Sequence, residues 1–127
     1  NLGTLLRSAL AFGFKTIILD NCVDLYNDKV IRSTQGNFFK LNVIEMSVSD
    51  FMFSYPDYQV YGTAMEGKAL DSIERNSKVA LVLGNEGKGM KEETLQKTYK
   101  NISIKTDIES LNVGVAGSII MHHINEI

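Results

Sequence analysis

The sequence predicts an α/β fold, a parallel sheet flanked by helices, on three observations. Helical and extended patterns alternate along its 127 residues, and parallel strands need crossover connections of this kind. Residues 79–83 form an unbroken apolar run, typical of a central strand covered on both faces. A glycine-rich turn follows directly, at the carboxyl end of that strand, where ligands bind in such sheets.

The elements follow in order. Leu2, Leu5, Leu6, Ala9 and Phe12 recur at helical spacing, Asn1 is a good N-cap, and Gly13 supplies a stop. Residues 16–19 are a β-branched run too short for a helix, closed by Asp20 and Asn21. Strands are expected at 43–45 and 59–61, with a short helix at 49–53 between them. A further short helix at 68–75 leads into the strand at 79–83. Beyond the glycine turn come a polar helix at 91–99, a strand at 102–104 and a last helix from Leu111 onward. No repeat or linker interrupts the pattern, so residues 1–127 read as one domain.

The last helix presents Leu111, Val113, Val115, Ile119, Ile120, Met121 and Ile124 in every direction. A helix that is apolar all round must be covered all round, so a partner subunit is expected on one face. The alternative is an apolar terminus that packs only in the intact protein.

Composition excludes several classes. Hydrophobic residues make up 44% and charged ones 22%, which supports a real core and no disordered tract. The longest apolar runs are far too short to span a bilayer, and no secretory leader pattern is present, so no membrane role is expected. A single cysteine, Cys22, excludes an internal disulfide and fits a reducing compartment, with the cytoplasm expected. Cys22 has no nearby histidine to activate it. The net charge of −2 argues against this domain alone gripping nucleic acid, since phosphate binding wants a basic face. His122 and His123 are neighbours, ~100° apart on a helix, and cannot chelate as an i, i+4 pair does. The carboxylates are scattered, and no metal is expected. Asn1 in place of methionine fits a piece of a longer protein, a processed one or a trimmed one.

Three segments could carry chemistry. In Asn1-Leu2-Gly3-Thr4-Leu5-Leu6-Arg7-Ser8-Ala9, Arg7 falls opposite the apolar stripe and within about 40° of Gly3. A long cation beside a bare backbone suits phosphate contact, but the pattern alone favours a capped amphipathic helix with a solvated arginine. In Leu83-Gly84-Asn85-Glu86-Gly87-Lys88-Gly89-Met90, three glycines form a tight turn after the apolar strand. It is not a P-loop, because no Ser or Thr follows Lys88, and its glycine order reverses the dinucleotide fingerprint. In Glu109-Ser110-Leu111-Asn112-Val113-Gly114-Val115-Ala116-Gly117, Ser110 and Asn112 are N-cap candidates, and the glycines allow close approach by another backbone.

Taken in this order, the three segments resemble the signature motifs of the SpoU family, part of the SPOUT class of methyltransferases. The first is similar to N-x-G-x-(I/L)-x-R-(T/S)-A, the second to L-V-x-G-x-E-G-x-G-(L/M), and the third to S-L-N-V-(S/G)-V-A. Lys29-Val30-Ile31-Arg32-Ser33, followed by Gly36, also resembles a family stretch. The resemblance runs from Asn1 to the C-terminus.

It implies a Rossmann-like α/β domain with a C-terminal trefoil knot and a homodimer packed through the C-terminal helix. The implied activity is methyl transfer from S-adenosylmethionine to a ribose 2′-hydroxyl of tRNA or rRNA, without a metal. By match to the motifs, the cofactor would meet Thr63, Gly84, Ile104 and Leu111, with Asn85, Gly87 and Ile102 beside them. The catalytic set would be Asn1, Arg7, Glu86, Ser110 and Asn112. Two departures stand out. Ile104-Lys105-Thr106 replaces the family's Ile-Pro-Met before a loop about two residues shorter, which makes Ile102 a rival to Ile104. The strand that normally precedes the first motif, and any N-terminal RNA-binding extension, are absent from residues 1–127.

A ribose hydroxyl is a poor nucleophile at neutral pH, so its attack needs proton removal and in-line positioning. The resemblance gives Arg7 the role of base or base-assistant. Arginine stays charged in proteins, so orienting the ribose phosphate and stabilising the alkoxide suit it better. Glu86 would position Arg7 or the substrate, and Ser110 and Asn112 would hold the loop or contact RNA. The competing reading is a non-catalytic RNA- or nucleotide-binding module that kept the fold.

Overall fold

The spacing of Leu2, Leu5, Leu6 and Ala9 produces the helix it predicts. Helix α1 spans Leu2–Ala11 and buries Gly3, Leu6 and Ala9, leaving Arg7 exposed. Gly13 follows at φ +84°, the left-handed conformation that ends helices cheaply when no Cβ is present. The computed structural model describes residues 2–21, 38–84 and 89–127. Asn1, Cys22, the 29–36 stretch, Asn85, Glu86 and Gly87 lie outside the described residues.

Two parallel sheets follow. Strand β1 (Thr16–Leu19) pairs with β2 (Asn42–Glu45), from Thr16 opposite Asn42 to Leu19 opposite Glu45. Asn21 closes β1 at φ 55°, a left-handed turn that asparagine tolerates. Helix α2 (Val48–Ser54) then starts on two caps. Ser47 Oγ accepts from the Asp50 amide at 3.0 Å, and the Asp20 carboxylate accepts from the Val48 amide at 3.0 Å.

The second sheet has the order β4-β3-β5, all parallel, built from β3 (Gln59–Lys68), β4 (Val79–Leu81) and β5 (Lys100–Ile102). Helix α3 (Glu92–Lys97) precedes β5, and the long α4 (Val113–Glu126) closes the chain and packs on α1. Tyr61, Ile73, Ile102 and Ile120 form the buried centre, joined by Leu70, Val79, Leu81, Ile104 and Ile124. Tyr61 is wholly buried, and its hydroxyl accepts from the Glu74 amide at 3.1 Å, which makes a polar group tolerable there.

Three expectations need correction. Residues 68–75 form no α-helix: Lys68 ends β3, and only a 3-10 turn at Leu70–Ser72 follows. Ser72 Oγ donates to the Ala69 carbonyl at 2.6 Å, competing with helical bonding, and Ile73 turns extended to reach the core. Among the described residues, the apolar run at 79–83 gives an edge strand that ends at Leu81, while β3, read as three residues, is the long middle strand. The strand expected at 102–104 is Lys100–Ile102, two residues earlier. Its polar residues are anchored, Lys100 Nζ to the Ser72 carbonyl at 3.0 Å and Asn101 Nδ2 to the Leu95 carbonyl at 2.9 Å, so hydropathy concealed them. The last helix, α4, is covered within the chain on one side only. It buries Gly114, Gly117, Ile120 and Met121 within the chain and leaves Val115 and Ile119 exposed. Among the described residues, no helix is long and apolar enough to cross a membrane.

Candidate functional site

The carboxyl ends of β3 and β5, together with the turns after β4 and β5, enclose a cavity of about 650 Å³. That volume lies within the ~300–1,000 Å³ usual for small-molecule sites, and the carboxyl edge of a parallel sheet is where such sites form. One wall comes from Thr63, Ala64 and Met65 on β3, and a second from Gly84, Gly89 and Met90 around the glycine turn. The third runs from Ile102 through Ile104 and Thr106 to Glu109, Ser110, Leu111 and Asn112. Val113, Ala116 and Ile120 of α4 contribute apolar surface.

Local structure explains how each wall is held. Thr63 Oγ1 donates to the Val82 carbonyl at 3.4 Å, and its amide donates to Met90 Sδ at 3.1 Å. Gly84 is required by close approach: a Cβ there would lie 2.4 Å from the Gly89 carbonyl carbon and 2.5 Å from the Met90 nitrogen. Gly89 turns back at φ +67°. Ser103 fixes the β3–β5 side, its hydroxyl donating to the Met65 carbonyl at 2.8 Å and its amide to the Lys68 carbonyl at 2.9 Å. Thr106 Oγ1 donates to the Ile108 carbonyl at 2.6 Å and folds the loop before α4. Asn112 caps α4, its Oδ1 accepting from the amides of Gly114 at 2.8 Å and Val115 at 3.3 Å.

The cavity brings together Thr63, Gly84, Ile102, Ile104, Ser110, Leu111 and Asn112. Ile102 and Ile104 both line it, so the rivalry between them dissolves into one wall. Ser110 is exposed at the loop before α4, whereas the Asn112 side-chain oxygen is engaged by the helix cap. Arg7 is not among the lining residues. It lies exposed on α1, whose next residue ties that helix to α4. Ser8 Oγ is 2.7 Å from Ser118 Oγ, and Ser118 donates onward to the Gly114 carbonyl at 2.6 Å. Ser118 has one hydroxyl proton, so Ser8 is the donor in that pair.

Met65 lines the cavity without having been singled out, and Glu109 and Ala116 line it from the third segment, where neither was given a role. Glu109 is the only carboxylate among the described lining residues, and its place beside Ser110 was the available signal. Nothing in the sequence marks Met65, because β3 reads as ending four residues earlier. Displaced titration lies elsewhere, ahead of the strands rather than after them. The Asp57 carboxyl is lowered by its hydrogen bond from Lys78, whose ammonium is raised in turn. The Tyr99 hydroxyl is raised by donation to Glu74.

The residues present fit S-adenosylmethionine. Ile102, Ile104, Leu111 and Ile120 offer apolar walls to a flat ring. The sequence profile of the SpoU rRNA Methylase family matches residues 1–122. The chain is 35% identical, over 98% of its length, to the 23S rRNA (guanosine(2553)-2′-O)-methyltransferase RlmP of Bacillus subtilis, of which it covers 52%. It is 29% identical, over 98% of its length, to the 23S rRNA (guanosine-2′-O-)-methyltransferase RlmB of Coxiella burnetii, again covering 52%. Its fold superposes on a crystal structure of an AdoMet-bound rRNA methyltransferase from Sinorhizobium meliloti with a TM-score of 0.90 at 28% identity, spanning 98% of this chain and 51% of that one. The chain thus spans about half the length of the curated relatives it matches.

Proposed function

The chain belongs to the SpoU rRNA methylase family, and we propose that it is the cofactor-binding and catalytic core of an enzyme that methylates a ribose 2′-hydroxyl of ribosomal RNA, using S-adenosylmethionine. The observation that carries this reading is convergence. Thr63, Gly84 and the stretch that carries Ile102, Ile104 and Leu111, separate in sequence, meet on one cavity of suitable size. Ribosomal RNA is favoured over tRNA by the named substrates of the relatives from Bacillus subtilis and Coxiella burnetii.

Bound S-adenosylmethionine supplies an electrophilic methyl group on a sulfonium. The chain's own residues do the rest. The apolar side chains of and after β5 hold a flat ring and exclude water, while Gly84 lets the Gly89 and Met90 backbone pack close behind the wall. Asn112 anchors the start of α4, so that Ser110 and Leu111 keep their place on the cavity wall. Arg7, exposed on α1, orients the ribose phosphate and stabilises the negative charge that develops on the attacking ribose oxygen. Asn1 and Glu86 join Arg7 in this role, on the strength of the motifs they belong to. Asn85 and Gly87 belong with the cofactor for the same reason.

The resemblance further supports a trefoil-knotted C-terminal part and a homodimer through α4, whose Val115 and Ile119 are exposed at 49% and 37%. Titrating the full-length protein with S-adenosylmethionine by calorimetry tests the cofactor assignment. Saturable binding in the micromolar range is expected, and no saturation by folded protein would remove it.

A further inference from the structure

We propose that Met90 is a positioning wedge. It takes one rung out of the sheet, holds the ends of β3 and β4 apart, and so sets how tightly S-adenosylmethionine is bound. The inference rests on the cofactor reading above. The β3–β4 pair has regular rungs: the Gln59 amide donates to the Lys78 carbonyl at 2.8 Å, and the Val82 amide to the Tyr61 carbonyl at 2.8 Å. A parallel ladder advances two residues on each strand, so the next rung would join the Thr63 amide to the Val82 carbonyl. That rung is missing. The Thr63 amide donates instead to Met90 Sδ at 3.1 Å. The Val82 carbonyl receives the Thr63 hydroxyl at 3.4 Å, and that hydroxyl also lies 3.5 Å from the same sulfur. A methionine from outside the strand pair therefore stands where the ladder would have continued. The cavity opens at this break, with Thr63, Gly84 and Met90 all on its wall.

Two glycines make room for the wedge. A Cβ on Gly62 would lie 2.4 Å from Asn101 Oδ1 and 3.1 Å from the Met90 methyl, and a Cβ on Gly84 would lie 2.4 Å from the Gly89 carbonyl carbon and 2.5 Å from the Met90 nitrogen. Methionine suits the task because it is flexible and apolar, and its sulfur is a weak acceptor. Leucine has similar volume but offers no acceptor, so the Thr63 amide would return to the Val82 carbonyl and draw the strand ends together over the cavity.

The test uses Met90→Leu and Met90→Gln in the full-length protein, with two readouts. Calorimetry gives the Kd for S-adenosylmethionine, and heteronuclear NMR follows the Thr63 amide without ligand. Met90→Leu is expected to raise Kd about tenfold. It should also move the Thr63 amide proton downfield and slow its exchange, as a bond to a carbonyl would. Met90→Gln, which restores an acceptor at similar length, is expected to bring Kd back to within about threefold of the parent. The proposal is overturned if Met90→Leu binds within about twofold of the parent, or if the Thr63 amide does not move; the cofactor reading then stands. A parent that binds no S-adenosylmethionine overturns the cofactor reading and the affinity role together. The Thr63 amide still decides, in that case, whether Met90 breaks the ladder.

Discussion

Gly84 and Gly117 both lack room for a Cβ, yet replacing them is expected to have different consequences. At Gly84 the obstacle is backbone, the Gly89 carbonyl and the Met90 nitrogen, which cannot give way without moving the turn. At Gly117 the nearest atoms are Leu5 Cδ2 at 2.7 Å and Leu83 Cδ1 at 2.8 Å, the far ends of flexible side chains. Gly84→Ala should therefore cost about 1–3 kcal/mol, while Gly117→Ala, which recovers roughly 1 kcal/mol of helix propensity, should be near neutral. Urea unfolding midpoints check this, and equal stability of the two variants would contradict it. Arg7→Ala should leave fold and cofactor affinity nearly unchanged, because Arg7 is exposed and away from the cavity wall, yet reduce RNA methylation at least about a hundredfold. Lysine should not restore it fully, since a point charge lacks the planar two-pronged grip. At this scale the motifs were legible: Thr63, Gly84, Ile104 and Leu111 could be named by their match to the family's motifs, and they line one cavity. Met90 as an acceptor could not be read, because the missing rung exists only once β3 and β4 are paired.

Asn112 separates structural from chemical roles at the level of elements. Its oxygen caps α4, so Asn112→Ala should cost about 1 kcal/mol and lower Tm by roughly 2–8 °C. Ser110→Ala, at an exposed loop position, should change Tm far less. Thermal unfolding of the two variants decides between them, and identical Tm values would remove the capping account. Elements with strong local signals were readable. The β1 run at 16–19 and the α1 stripe with its Gly13 stop match the structure. Elements whose residues are set by tertiary partners were not. The polar strand β5 is held by contacts to Ser72, Leu95 and Thr98, none of which hydropathy reveals. The Ser72 turn defeated a helix that periodicity alone favoured.

For the whole molecule, α4 carries the prediction about assembly. Val115 and Ile119 are exposed in the single chain, whereas Met121 is 5% exposed and belongs to its interior. Ile119→Asp is expected to dissociate a homodimer without unfolding it, and Met121→Asp to unfold the chain, because an unpaired buried charge is strongly destabilising. Sedimentation of the unmodified full-length protein as a monomer at micromolar concentration would contradict the dimer. The α/β class was legible from alternation alone, but no pattern of hydropathy encodes a threaded chain, so the proposed knot rests only on the resemblance. The most direct test of the central claim is to incubate the full-length protein with unmethylated ribosomal RNA and labelled S-adenosylmethionine, then analyse the digested nucleosides by mass spectrometry. The account predicts label in a 2′-O-methylated nucleoside that disappears with Arg7→Ala. Label on a base, or no transfer by protein that binds the cofactor, would contradict it.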